Sequence, residues 1–143
     1  MQAYAYNRRA KFDYDVKETL AAGLVLSGPE VKSVKNGNVS LTGSYVKVSP
    51  TEVLLINCHI GPYKYAPNKK YDPTQSRKLL LKKKEINQLI GKAKGLVIFP
   101  LEIFQGHRGL IKINIALGKA RKKTDKREYI QKREVDREMR EYK

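Results

Sequence analysis

The chain has 143 residues, with 30 Lys and Arg against 14 Asp and Glu, which gives a net charge of +16. This length suits one domain of ordinary size. So large a positive excess favours an anionic partner, either nucleic acid or an anionic membrane. Charge repulsion also opposes self-association, so we expect a monomer.

The apolar segments are too short to cross a bilayer. Residues 96–101 are one of the longest, far below the roughly 20 residues that a transmembrane helix needs. The first nine residues lack the apolar core of a secretion signal, and Cys58 is the only cysteine. We therefore expect a cytoplasmic protein without disulfides or a membrane span.

Apolar periodicity ends near Gly118 and divides the chain into a body, residues 1–117, and a basic tail, residues 118–143. The tail contains 11 Lys and Arg and 6 Asp and Glu, which leaves it +5 of the total charge. It has too few apolar residues for a core, although Asp125 and Glu128 are spaced to cap a helix. We predict a tail that is disordered when free and helical on a partner.

Within the body, a first strand is predicted around residues 20–26. Residues 45–48 then lead through Ser49-Pro50-Thr51, a turn-forming cluster, into an extended segment, which indicates a hairpin. One parity of that segment is wholly apolar. We expect this face to pack in the core: Leu54, Ile56, Cys58 and Ile60.

A second hairpin is predicted from residues 96–104 and 110–117, which flank a connection containing two glycines. Pro100 has no backbone N–H and marks an edge or a bulge in the first of these strands. The second strand alternates apolar and polar residues, as a half-buried strand requires. Its apolar positions are Ile111, Ile113, Ile115 and Leu117.

Two short helices are predicted between the strands. Pro29 suits the first turn of one, with Val31 and Val34 facing inward and Asn36-Gly37 as its end. The other has Gly91 as a terminator and apolar residues at helical spacing, namely Ile86, Leu89 and Ile90. The pattern predicts a mainly β fold of five or six antiparallel strands, closed as a small β-barrel.

Signals for catalysis are weak. His59 and His107 lie far apart, Cys58 falls on the apolar parity of a strand, and the acidic residues are scattered. The sequence has no metal-ligand spacing, phosphate-binding loop or dinucleotide fingerprint. A protein without enzymatic activity or cofactor is expected, although acidic residues brought together by the fold remain an alternative.

Basic residues cluster around the second helix and could neutralise several phosphates: Arg77, Lys78, Lys82, Lys83, Lys84, Lys92 and Lys94. Nearby, Tyr63, Tyr65 and Tyr71 could stack on unpaired bases or simply pack a Pro-rich loop. The tail offers only a thin apolar face to a membrane. RNA is therefore favoured over lipid.

Five separate strings occur along nearly the whole chain, and the fourth is the most specific: Asn7-Arg8-Arg9-Ala10, Gly28-Pro29-Glu30-Val31-Lys32-Ser33, His59-Ile60-Gly61-Pro62-Tyr63, Asp72-Pro73-Thr74-Gln75-Ser76-Arg77-Lys78-Leu79-Leu80-Leu81 and Asp125-Lys126-Arg127. In order and spacing they resemble the small protein B family (SmpB, SsrA-binding protein), which binds tmRNA in trans-translation. The resemblance implies an oligonucleotide-binding (OB) β-barrel with two or three short helices and a flexible tail.

The resemblance also implies a function and partners. The body would bind the tRNA-like domain of tmRNA, supporting its charging by alanyl-tRNA synthetase and its delivery by elongation factor Tu with GTP. The tail would occupy the vacant decoding centre and mRNA channel of the ribosomal small subunit. Peptide tagging and ribosome rescue would follow.

Carried over residue by residue, the tmRNA face would comprise Asn7, Arg8, Arg9, Glu30, Lys32, Ser33, His59, Arg77, Lys78, Leu80 and Lys82. The cations would meet phosphates, and Glu30 would orient a cation or accept from a base or ribose. Leu80 would either contribute to this face or instead shape the core beneath it. In the tail, the expected ribosome contacts are Lys119, Arg121, Lys122, Lys123, Asp125, Lys126 and Arg127.

Three positions depart from the family pattern. Ala120-Arg121-Lys122 replaces the usual Gly-Lys-Lys, Thr124 stands where His or Tyr is common, and Ala21 replaces an acidic residue of some relatives. Two other functions stay open. A general single-strand-binding or ribosomal barrel would bind bulk tRNA as well as tmRNA, and an RNA-processing enzyme would turn over an RNA substrate.

Overall fold

The computed structural model describes residues 3–66 and 69–121. These residues form three α-helices, α1 Ala10–Asp13, α2 Gly28–Lys35 and α3 Lys83–Lys92. The strands are β1 Ala3–Tyr6, β2 Tyr14–Leu24, β3 Val39–Ser40, β4 Tyr45–Val48, β5 Val53–Ile56, β6 His59–Ile60, β7 Arg77–Leu80, β8 Val97–Gln105 and β9 Ile111–Ala120. The predicted mainly β fold with short helices is confirmed.

Seven strands form one antiparallel sheet in the order β1-β8-β9-β2-β7-β5-β4, and β3 pairs separately with β6. The sheet is compatible with an OB-like fold, but it is larger than the five or six strands predicted. Within the described residues no strand pairing joins the edges β1 and β4, so the sheet is not a closed barrel. Both edges are only four residues long, and β4 approaches β8 rather than β1.

The two predicted hairpins are present as β4–β5 and β8–β9. In β9 the alternation holds from Ile111 to Ile115, and Leu117 is buried as expected, but Ala116 between them is buried as well. Pro100 lies at a register shift between β8 and β9. Strand β1 pairs only with residues 102–104 of β8, so Pro100 lies at a bulge where β8 has a strand partner on one side only.

The prediction of which residues face inward is wrong for the first half of the segment that contains β5. Cys58 and Ile60 are fully buried as expected, but in β5 the fully buried residues are Val53 and Leu55. Leu54 and Ile56 are only partly buried. The reason is Asn57, whose φ of 62° ends the strand and reverses the inward parity.

Helix α2 agrees with its prediction, since Pro29 lies in its first turn, Val34 is fully buried and Gly37 follows at φ 80°. Helix α3 continues past Gly91 to Lys92, and Ile90 is exposed rather than part of its buried stripe. No helix among residues 3–66 and 69–121 is long and apolar enough to span a membrane.

Strand β9 runs past the predicted end of the body. Gly118 is buried, and a Cβ added there would lie 2.7 Å from the carbonyl oxygen of Asp15 and 2.9 Å from the Phe99 ring. The amide of Arg121 donates to the carbonyl of Asp13 at 2.9 Å. Residues 118–121 therefore belong structurally to the sheet, while the predicted helix of the tail lies outside the described residues.

Candidate nucleic-acid interface

Glu30 and Arg77 form a buried ion pair between helix α2 and strand β7. In β7 the alternation turns Arg77 and Leu79 inward and Lys78 and Leu80 outward. The Nη2 and Nε atoms of Arg77 donate to Oε2 of Glu30 at 2.6 and 2.8 Å. The other oxygen of Glu30, Oε1, accepts from the amide of Ser27 at 3.1 Å. One carboxylate therefore both caps α2 and fixes it to β7.

The ion pair extends into a network that reaches strand β6. Arg77 also donates from Nη1 to the carbonyl of Cys58 and from Nη2 to the Tyr71 hydroxyl at 2.9 Å. That hydroxyl lies 2.8 Å from the carbonyl of Ile60 and 3.1 Å from Oε2 of Glu30, and its single proton serves one of the two. We call Glu30, Arg77, Tyr71 and the carbonyls of Cys58 and Ile60 the Glu30–Arg77 network.

The network holds Glu30 ionised. Burial disfavours the charged carboxylate, but hydrogen bonds from the Ser27 amide and from Arg77 and Gln75 outweigh it and lower the pKa of Glu30 below its usual value. Burial has the opposite result for Tyr71, where it raises the pKa to about 12 although Arg77 acts against it. Tyr71 therefore stays a neutral donor and acceptor at physiological pH.

Besides Glu30, which is 4% exposed, two residues expected on the RNA face are buried instead. Arg77 is 3% exposed and its guanidinium is occupied by Glu30, so it does not present a charge to phosphate in this structure. Ser33 is 2% exposed, and its hydroxyl has no hydrogen-bond partner among the described residues. Both lie beneath the surface because one is on the inner parity of β7 and the other on the inner side of α2.

The neighbouring expected residues are exposed. Lys32 on α2, His59 on β6, Lys78 on β7 and Lys82 before α3 all lie at the surface. The Glu30–Arg77 network joins α2, β6 and β7, and α3 follows β7 directly in the chain. These four side chains therefore lie on connected elements.

Of the two roles considered for Leu80, the alternative of shaping the core is wrong. Leu80 is 56% exposed on the outer parity of β7, and its side chain lies over Gly23 of the paired strand β2. A Cβ at Gly23 would lie 3.2 Å from the Cβ of Leu80. An apolar side chain thus lies between the exposed Lys78 and Lys82 along the chain.

Residues 7–10, the first of the five strings, contain a second group of expected RNA contacts near the start of the chain. The Asn7 amide group donates to the carbonyl of Pro100 at 2.9 Å, which fixes it against β8. Arg8 is exposed and lines a cavity of about 430 Å³ with Lys11. Arg9 lies over the Phe12 ring. Among the described hydrogen bonds and ion pairs, none links this group to the Glu30–Arg77 network.

Only two of the expected tail contacts lie within the described residues. Lys119 is exposed on β9, opposite Asp15 of β2. Arg121 is half-buried and donates from Nε to the carbonyl of Lys11 at 3.1 Å. The others fall outside the described residues: Lys122, Lys123, Asp125, Lys126 and Arg127.

The site offers little nucleophilic or metal chemistry. Burial raises the pKa of the Cys58 thiol to about 11, so the thiolate is scarce, and the side chain is fully buried as predicted for a core residue. Within residues 3–66 and 69–121, no three His, Cys, Asp or Glu side chains are grouped to hold a metal ion. The arrangement suits binding by charge and shape.

Sequence reasoning missed the shared role of Tyr71 and Gln75. Tyr71 was expected to stack or to pack a loop, yet its hydroxyl links Arg77 to β6. Gln75 donates to Oε2 of Glu30 at 3.2 Å. Both lie within six residues before Arg77. This closeness in the sequence is the signal that could have indicated contact with Arg77 or its partner.

Comparison with known proteins identifies the family. A family model described as "SmpB protein" matches residues 4–143. The chain belongs to the SmpB family. The resemblance drawn from the five strings is thereby confirmed.

Two relatives and a solved structure support this assignment. The SsrA-binding protein of Coprothermobacter proteolyticus is 46% identical, covering 98% of this chain and 95% of the relative. That of Thermosipho melanesiensis is 44% identical, covering 99% and 98%. A chain from the structure "tmRNA-SmpB: a journey to the center of the bacterial ribosome" is 39% identical with a TM-score of 0.69, covering 87% of this SmpB chain and 92% of the other.

Proposed function

We propose that this SmpB protein binds the tRNA-like domain of tmRNA and acts with it on stalled ribosomes. The observation that carries the proposal is the family match over residues 4–143, which includes body and tail alike. The relatives are named for binding SsrA, and the solved neighbour comes from work on tmRNA, SmpB and the bacterial ribosome. The net charge of +16 suits an RNA partner.

In the proposed complex, Lys32, Lys78 and Lys82 bind phosphates, because all three are exposed cations. Leu80 contributes an apolar contact to a ribose or base between them. Glu30 and Arg77 act as positioning residues, since their ion pair fixes α2 against β7.

The second group, around Asn7, Arg8 and Arg9, extends the RNA surface near β1 and α1. Arg8 and Arg9 are exposed, whereas the side chain of Asn7 is bonded to Pro100 and orders the local backbone. Two separated groups of contacts suit a folded RNA domain better than a short single strand.

The protein would work as an adaptor without chemistry of its own. Its binding would support charging of tmRNA by alanyl-tRNA synthetase and delivery by elongation factor Tu with GTP. Residues 122–143 would then enter the decoding centre and mRNA channel, with Lys119 and Arg121 at the base of this tail. Tagging of the nascent peptide would follow from tmRNA.

The first test is equilibrium binding of the full chain to the tRNA-like domain, with an equal-length tRNA as competitor and a salt titration. We expect tmRNA to be preferred at every salt concentration. Equal binding of both RNAs would leave a general basic RNA binder and would overturn the proposal.

The tail is tested by truncation after Arg121, which leaves all described strands intact. We expect the truncated chain to bind the tRNA-like domain with unchanged affinity and to lose peptide tagging in a reconstituted translation system. Tagging at the full rate would contradict the proposed role of residues 122–143. Truncation after Leu117 is a poorer design because it removes Gly118 and the backbone bond from Arg121 to Asp13.

A further inference from the structure

A cavity of about 200 Å³ lies beside the Glu30–Arg77 network. Its walls come from the start of α2 and from the loop after β6, and they include Pro29, Pro62, Tyr63 and Tyr71, with Glu30 at one side. The function proposed above assigns no role to this space.

The polar groups at the cavity are already engaged. Both oxygens of Glu30 accept hydrogen bonds, and the hydroxyl of Tyr71 is bonded to Arg77 and to the carbonyl of Ile60 or to Glu30. What remains for a ligand is mainly two aromatic rings and two proline rings. The cavity therefore suits a flat ligand with a π face and not a free anion.

The volume of the cavity and the rigidity of its walls further restrict the kind of ligand that fits. Pockets for drug-sized molecules begin at about 300 Å³, so this one fits a single planar group. The Tyr71 ring is held by its hydroxyl, and the Tyr63 ring is half-buried in the cavity wall. The aromatic walls are thus in place before any ligand arrives.

Lysines on the elements that form the cavity indicate what the planar group is attached to. Lys64 and Lys69 are exposed on the loop that supplies Tyr63 and Tyr71, and Lys32 is exposed on α2. A flat group on an anionic chain matches both the aromatic walls and the exposed lysines on these elements. We propose that the cavity binds one unpaired base of the RNA, stacked against Tyr63 and Tyr71.

This inference rests on the proposed RNA-binding function and deepens it. The test uses the full chain and the tRNA-like domain of tmRNA carrying 2-aminopurine at one unpaired position at a time, since stacking quenches its fluorescence. The variant is Tyr63→Ala, which removes one wall. The matched control is Tyr65→Ala, because Tyr65 is 73% exposed and does not line the cavity.

We expect Tyr63→Ala to weaken binding about tenfold, as loss of one base–aromatic stack does. One labelled position should be quenched by the unmodified protein and by Tyr63→Phe, which keeps the ring, but not by Tyr63→Ala. Tyr65→Ala should bind within about twofold of the unmodified chain. Tyr63→Phe also separates loss of stacking from loss of folding.

Equal effects of Tyr63→Ala and Tyr65→Ala, or no labelled position that responds to Tyr63, would overturn the cavity proposal while RNA binding persisted. Failure of the unmodified chain to bind the RNA would overturn the proposed function as well. The two failures are therefore distinguishable in one set of titrations.

Discussion

Glu30 and Arg77 lie 47 residues apart in the chain, yet their side chains pair at 2.6 Å and are 5% and 2% exposed. Two charges removed from water are stable only when each satisfies the other and the remaining hydrogen-bonding positions are filled. The Ser27 amide, the Cys58 carbonyl and Tyr71 fill them here. This pair is therefore the point at which the fold and the candidate interface depend on each other.

Replacing Arg77 by Met should lower the free energy of unfolding by about 3–5 kcal/mol, because it leaves the carboxylate of Glu30 buried without its partner. The matched control is Lys92→Met, which breaks the Lys92–Glu18 pair, whose side chains are 53% and 51% exposed. That change should lower stability by less than about 1 kcal/mol. Urea denaturation measures both, and equal losses would contradict the inference.

The stability of the chain should fall in acid partly through Glu30. Its pKa is lower in the folded state than the ordinary value of 4.5, so the ionised form stabilises the fold fully above 4.5, and this stabilisation is lost as the pH falls through the folded pKa. We expect the stability difference between the unmodified chain and Glu30→Gln to shrink in that range. A difference independent of pH, measured by denaturation between about pH 7 and pH 3, would refute this.

Cys58 should react slowly with iodoacetamide in the folded protein. Its side chain is fully buried and the pKa of its thiol is raised to about 11, so both access and thiolate are limited. Mass spectrometry at about pH 8 should find little labelling until denaturant is added. Rapid labelling of the folded chain would contradict the described packing.

Gly118→Ala should destabilise the fold, since the new Cβ would lie 2.7 Å from the Asp15 carbonyl oxygen and the backbone would have to move. We expect a loss of about 1–3 kcal/mol. Gly91→Ala provides the control, because Gly91 lies inside α3 with nothing within 4 Å of the added Cβ. It should stabilise by up to about 1 kcal/mol, and thermal unfolding of both variants checks the opposite signs.

Lys78→Ala tests one proposed phosphate contact. It should weaken binding to the tRNA-like domain and reduce the slope of log affinity against log salt by about one. Lys17→Ala is the control, because Lys17 is an exposed cation paired with Asp15 at 2.8 Å and lies outside the proposed surface. If both variants alter the slope equally, the contact at Lys78 is not specific.

Local sequence patterns predicted those parts of the fold that depend on neighbouring residues. The alternation at the start of β9 and the position of Pro29 in the first turn of α2 each describe one element and its own face. Closure of the sheet was not predictable in this way, because it depends on whether β1 and β4 meet across the whole domain.

The same distinction between local and long-range features applies to the candidate site. Exposure of Lys32, Lys78 and Lys82 follows from residue type, since lysine is seldom buried. Burial of Arg77 could not be predicted from residue type, because it depends on the carboxylate of Glu30, which is distant in the sequence. The exposed position of Leu80 likewise reverses what an apolar residue in a Leu-Leu-Leu string suggests.

Asn57, with its φ of 62°, determines more than which residues of β5 face inward. Of the carbonyls that follow it, that of Cys58 accepts from Arg77, and that of Ile60 lies 2.8 Å from the Tyr71 hydroxyl. One residue added or removed between Ile56 and Cys58 would turn these carbonyls away from both side chains. Chain length should therefore be invariant at this connection, and a genetic selection for function among single-codon insertions and deletions should recover none there.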